Sequence, residues 1–140
     1  MKTLILTLFS LLLISCSKDE NTEKSNLIGT WNLVTKGEIS SGDMENYPDT
    51  LGSSIQLEFS MDSVIFYGCE MFLGSGKYIL AENYKLIIEG FTYIEPCSLN
   101  GWVEIVANNI IHSSSYNIHE DTLKIMTEKN GGYFLKFKKD

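Results

Sequence analysis

The chain has 140 residues, 44% of them hydrophobic, with 18 acids against 11 lysines and a formal net charge of −7. That is one domain's worth of chain with enough apolar side chains for one core. There is no arginine, so the bidentate fork that reads phosphates and base edges is missing, and an acidic chain without it is excluded as a nucleic-acid binder and is repelled by anionic membrane surfaces.

The first element is a leader. Met1-Lys2 precedes an apolar run from Leu4 to Leu12 broken only by Thr7 and Ser10, and small or polar residues follow. A positive start, a short apolar run and a small-residue cleavage point make a secretory signal over residues 1–15. The run is too short for the ~20 residues a membrane-spanning helix needs. Leu13-Ile14-Ser15-Cys16 resembles the lipobox of bacterial lipoproteins. The resemblance implies cleavage before Cys16 and acylation of its sulfur and its new amino group, so the partner at this end is a lipid bilayer. Ser17-Lys18-Asp19-Glu20 resembles the export tag of Bacteroidota surface lipoproteins, which implies an outer-membrane lipoprotein on the periplasmic face or the cell surface. Without its leader the chain carries 10 lysines and 18 acids, a net charge of −8. Residues 16–26 read as the lipidated cysteine and a flexible polar tether, and residues 27–140 as the folded domain.

Within that domain the pattern predicts mainly β structure: about eight antiparallel strands in a curled sheet or barrel, with one helix. Ile28–Thr35 is the first strand. Gly37–Ser53 is polar, without apolar period, and reads as a long loop. Ile55–Phe59 alternates as a half-buried strand; Val64–Tyr67 follows a turn at Met61-Asp62-Ser63. Gly76–Ala81 and Tyr84–Glu89 form a pair turned at Glu82-Asn83. Trp102, Ile105, Val106, Asn109 and Ile110 then recur at three- and four-residue steps, which predicts one amphipathic helix, capped by Asn100 with Glu104 in its first turn. Ser115–His119, Thr122–Thr127 and Tyr133–Lys138 close the chain as strands, the last two joined by a tight turn at Asn130-Gly131-Gly132. Such a meander removes most free edges by curling into a barrel or half-barrel.

Gly29-Thr30-Trp31 resembles the Gly-x-Trp signature of lipocalin-like barrels, in which the tryptophan seals one barrel end. A second resemblance runs further: Phe59, Tyr67-Gly68-Cys69, Phe72, Gly76-Lys77-Tyr78, Leu86, Ile88, Cys97, the helix, Tyr116-x-Ile118, Leu123-x-Ile125 and Leu135-x-Phe137 follow the order of the META domain of heat-inducible bacterial lipoproteins. Glu70 stands where that family has asparagine, and Thr92 is displaced from its threonine. Both resemblances imply an antiparallel sheet curled around one core, and neither assigns an activity. A hollow interior would mark the lipocalin-like case, a packed one the META-like case.

With Cys16 acylated, Cys69 and Cys97 remain in an exported domain where disulfides persist. They are expected to pair, which in the chain-entropy model stabilises by about 3–4 kcal/mol; the alternative is two separate buried thiols.

The chemistry the sequence offers is sparse. His112 and His119, even with Glu120 and Asp121 beside the second, fall on different elements and lack a third spaced ligand, so no metal site is expected. No Gly-x-Ser-x-Gly elbow is present. Gly74-Ser75-Gly76-Lys77 lacks the upstream glycine of a phosphate loop, Met71 standing there, and has Tyr78 where the loop needs Ser or Thr. Glu38, Asp43, Glu45 and Asp49 lack calcium-loop spacing. No cofactor is expected, and the chain reads as non-catalytic. What remains is binding. The Gly37–Ser53 loop lies where lipocalin-like barrels place a lid, with Met44 and Tyr47 as contact residues and Trp102 projecting from the helix, the ligand being small and hydrophobic. The rival function is a protein–protein interaction module in the cell envelope.

Overall fold

The computed structural model describes residues 20–48, 51, 53–94, 101–128 and 132–140. The leader, Cys16, Cys97, Asn100 and Asn130-Gly131 lie outside them. The chain forms helix α1 (Glu20–Leu27), strands β1 (Gly29–Glu38), β2 (Met44–Asn46), β3 (Ile55–Phe59), β4 (Ser63–Gly68), β5 (Met71–Ala81) and β6 (Lys85–Tyr93), helix α2 (Trp102–Ile111), and strands β7 (Ser115–His119), β8 (Thr122–Thr127) and β9 (Tyr133–Lys139). Eight strands run in the order β6-β5-β4-β3-β1-β9-β8-β7, every pairing antiparallel, and β2 adds to the free edge of β1.

The sheet curls because its inward faces are apolar and its strands carry irregularities that bend it. Ile55, Leu57 and Phe59 of β3 face Gly68, Phe66 and Val64 of β4 on the buried side. Register shifts between Leu33 and Thr35, between Phe66 and Tyr67, and between Ser75 and Lys77 bend β1, β4 and β5. At the last of these the backbones of β5 and β6 come so close that a Cβ on Gly74 would collide with the Thr92 carbonyl. The result is a half-barrel whose end strands approach each other at one point, where the Tyr116 amide donates to the Tyr84 carbonyl at 2.9 Å and the two rings meet edge to face. Helix α2 packs on β6, β8 and β9 across the remaining gap. Trp31, Phe59, Phe66 and Phe137 are the largest fully buried side chains, and Trp102, Val103, Val106, Ala107 and Ile110 of α2 join the same core.

Several expectations are met within a residue or two: β3, β7 and β8 have the expected bounds, and the mainly antiparallel curled sheet is present. Four differ. Residues Glu20–Leu27 form a helix where a flexible tether was expected, giving two helices rather than one. Leu27 is fully buried and its carbonyl accepts the Trp31 indole N–H at 2.7 Å, so the helix is held at its C-terminal end by the first strand. The loop expected over residues 37–53 carries β2, paired with β1 as Thr35↔Asn46, Lys36↔Glu45 and Gly37↔Met44; three polar-looking residues found a free edge, which propensity does not encode. β5 begins five residues before its expected start and β6 runs on to Tyr93, because long-range pairing overrides the glycines at 74, 76 and 90. Helix α2 has Gly101, at φ 79°, as its N-cap, without any side-chain cap, in place of Asn100.

Candidate functional site

Trp31 lies in the core near the start of β1. Gly29, at φ 130°, lets the chain turn from α1 into β1. Trp31 is fully buried, bonded to Leu27, with the Lys139 ammonium 5.2 Å from its ring centroid.

Helix α2 packs against β6, β8 and β9. Its inner stripe enters the core, and its outer stripe, Ile105, Asn108, Asn109 and His112, faces a groove of about 490 Å³. The opposite walls come from the β1–β2 hairpin (Lys36 to Glu38 and Asp43 to Glu45) and from Thr127, Tyr133 and Phe134 at the ends of β8 and β9. Lys36 and Glu45 are register partners and form an ion pair at 3.0 Å. The Lys36 ammonium also lies 4.3 Å from the Trp102 ring centroid, so this cation is engaged twice. Glu38 accepts from the Ser41 hydroxyl at 3.0 Å. Asn109 back-bonds to the Ile105 carbonyl through Nδ2 at 2.8 Å, while its Oδ1 is buried without a hydrogen-bond partner among the described residues.

The three residues expected to contact a ligand separate here. Met44 lines the groove and is 65% exposed. Tyr47 and Trp102 do not line it: their rings meet edge to face at 5.2 Å. The Tyr47 hydroxyl donates to the Ser53 carbonyl at 2.8 Å, and burial raises its pKa. Trp102 is 3% exposed, so it is a core plug roofed by Tyr47 and Lys36 rather than a projecting contact. The apolar stripe that sequence periodicity assigned to it was a core stripe. The residues missed were Ile105, Asn109, Lys36 and Phe134. For Ile105 a signal existed, since it sits at the edge of the helical stripe; nothing in the sequence places Phe134 beside the β1–β2 hairpin.

The remaining candidates stay dispersed. Cys69 occupies the β4–β5 turn at φ 54°, next to Glu70 at φ 60°, and its expected partner Cys97 lies outside the described residues. His112 ends α2 and His119 ends β7, both exposed. Among the described residues no group of three His, Cys, Asp or Glu is placed to hold a metal ion, and no helix is long and apolar enough to cross a membrane. Gly74-Ser75-Gly76-Lys77 is strand, paired to both β4 and β6.

No family model and no curated protein matches the chain. Two solved structures share its fold. The NMR structure of a protein from Burkholderia xenovorans superposes with a TM-score of 0.61 at 18% identity, over 85% of this chain and 87% of that one. The crystal structure of a DUF4847 family protein from Bacteroides vulgatus gives 0.63 at 14% identity, over 85% and 97%. Apo lipid binding protein 8 from Caenorhabditis elegans aligns over 83% of this chain and 96% of its own, with a TM-score of 0.40 at 16% identity, and carries no weight. These likenesses show a curled β-barrel fold and leave META or lipocalin-like membership unassigned.

Proposed function

We propose that this chain is a lipid-anchored extracytoplasmic protein without catalytic activity, whose groove between the β1–β2 hairpin, α2 and β9 binds a small, largely apolar ligand. The observation that carries the reading is where the free space lies. The described residues form a continuous packed core, and outside it the β1–β2 hairpin, α2 and the start of β9 enclose a groove of about 490 Å³, a size that suits a small molecule. Met44, Ile105 and Tyr133 give it apolar surface, and polar groups stand at its rim. The test is saturation-transfer NMR with a neutral probe, cyclohexylmethanol: Met44→Asp and Ile105→Asp abolish the transfer, and transfer unchanged in both variants would refute the groove.

The anchor part of the proposal is supported by Leu13-Ile14-Ser15-Cys16 at the end of a short apolar leader. Growth with an alkyne-labelled palmitate labels the wild type and leaves Cys16→Ser unlabelled; equal labelling would sink it. The pairing of Cys69 with Cys97 belongs to the same proposal, because acylation leaves only these two thiols.

A second reading, an interaction module for another envelope protein, is favoured by a separate surface. Met71 and Phe72 are 47% and 52% exposed at the start of β5, and Ile94, 59% exposed, is tied alongside through its amide to the Leu73 carbonyl. Crosslinking from Phe72 in intact cells tests it, and recovery of no partner counts against it.

A further inference from the structure

Resting on the anchor and groove readings together, we infer that the groove opens away from the bilayer that holds Cys16, so that its ligand arrives from water and is not drawn out of that membrane. Three strands set this polarity. β1 begins at Gly29, two residues after Leu27 ends α1, and finishes at Glu38 on the groove wall. β9 runs the other way, from Tyr133 and Phe134 in the groove to Lys139 opposite Trp31. β8 starts at Thr122, opposite Lys138, and finishes at Thr127 in the groove. The groove and the point where α1 joins the sheet therefore lie at opposite ends of the same three strands. β1 has 10 residues, and at about 3.3 Å per residue its ends are up to roughly 30 Å apart.

The connection to the lipid is too short to undo that arrangement. Only Ser17-Lys18-Asp19 separates Cys16 from Glu20, the first residue of α1, a reach of about 14 Å when fully extended. The eight residues of α1 add about 12 Å. The helix is fixed at its last turn: Leu27 is buried and bonded to the Trp31 indole, and the Lys139 ammonium donates to the Asn26 carbonyl at 3.4 Å. Laid straight back along β1 with the spacer stretched, helix and spacer together only approach the level of the groove; any shorter path holds the bilayer at the α1 end. The β3–β4 turn belongs to that end. Phe59 is the register partner of Gly29, and Met61, two residues further on, is 72% exposed, an apolar side chain placed to meet the bilayer interface.

The experiment uses the acylated chain in phosphatidylcholine nanodiscs that contain a gadolinium-chelating lipid, with the methionine methyls labelled for NMR. Without its leader the chain carries Met44, Met61, Met71 and Met126. Met44 lines the groove, Met126 is the register partner of Phe134, and Met71 pairs with Gly68 at the end of β4 remote from Met61. The Met61 peak is expected to lose the most intensity and the other three to keep theirs. A long Gly/Ser linker inserted after Asp19 restores the Met61 peak, because the domain is then free to leave the surface. Cyclohexylmethanol, titrated by saturation transfer, binds the native and the linker forms with the same dissociation constant. Broadening of Met44 equal to or above that of Met61 overturns the inference. So does silence at all four methyls, a Met61 peak still broadened with the linker present, or probe binding that tightens when the linker is added. The underlying readings fail separately: no saturation transfer in either form overturns the groove, and a chain that does not co-elute with the nanodiscs overturns the anchor, each taking this inference with it.

Discussion

Replacing Trp31 by phenylalanine tests how helix α1 is held against the first strand. The indole N–H donates to the Leu27 carbonyl at 2.7 Å, and both residues are fully buried. Phenylalanine leaves that carbonyl without its donor, a cost of about 1–3 kcal/mol. The smaller ring leaves a void of roughly 40 Å³, which at about 24 cal/mol per Å³ adds about 1 kcal/mol. The sum is about 2–4 kcal/mol, and at about 4 °C per kcal/mol for a domain of this size Tm falls by roughly 8–16 °C. The loss has a local component, because an eight-residue helix is not stable on its own and α1 is held at Leu27. Thermal denaturation followed by circular dichroism gives the global change, and hydrogen exchange of the 24–28 peptide gives the local one. Leu27→Ala, costing about 2–5 kcal/mol, produces the same exchange pattern. A Trp31→Phe protein melting within a degree of wild type with unchanged exchange would refute the docking of α1 on β1.

Other outcomes follow from the same geometry. Cys69→Ser lowers Tm without reductant by an amount matching about 3–4 kcal/mol and matches the wild type in reductant; equal stability in both conditions refutes the pairing. Gly37→Ala drives a methyl into the Phe134 ring and to 2.8 Å from the Asp43 carbonyl, so it costs about 1–3 kcal/mol in equilibrium unfolding, and a neutral result contradicts that packing. Burial first, and the Asp62 charge second, raise the Tyr78 pKa above 10.0; its hydroxyl donates to the Ser60 carbonyl at 2.6 Å. A raised folded-state pKa means this contribution is complete below pH 10 and is lost as pH climbs through the folded value. Stability therefore declines above pH 10, and Tyr78→Phe flattens that decline; identical alkaline profiles would contradict the burial of this phenol.

Much of the fold was legible because inward residues alternate. Ile55-Gln56-Leu57-Glu58-Phe59 and Thr122–Thr127 each carry a period of two, and the observed strands keep those bounds. The helix from Trp102 was legible for the same reason at period 3.6. β2 was not, because Met44-Glu45-Asn46 has no buried face: all three are exposed, and what fixes them is the open edge of β1 and the Lys36–Glu45 pair. Helix α1 was missed because its sequence is polar; its anchor is a single residue, Leu27, whose partner Trp31 comes from the next element. The groove was half legible. Met44 was identified on its exposed loop, while Trp102 was assigned to the ligand and belongs to the core. Phe134 and Asn109 reach the site through tertiary placement alone.

The central claim is that ligand enters at the mouth and not the barrel interior. Intermolecular NOEs between cyclohexylmethanol and selectively methyl-labelled protein test it most directly. The account predicts cross-peaks to the methyls of Met44 and Ile105 and none to those of Leu57, Val106 and Leu123. Cross-peaks to the interior methyls, with Met44 and Ile105 silent, would contradict it.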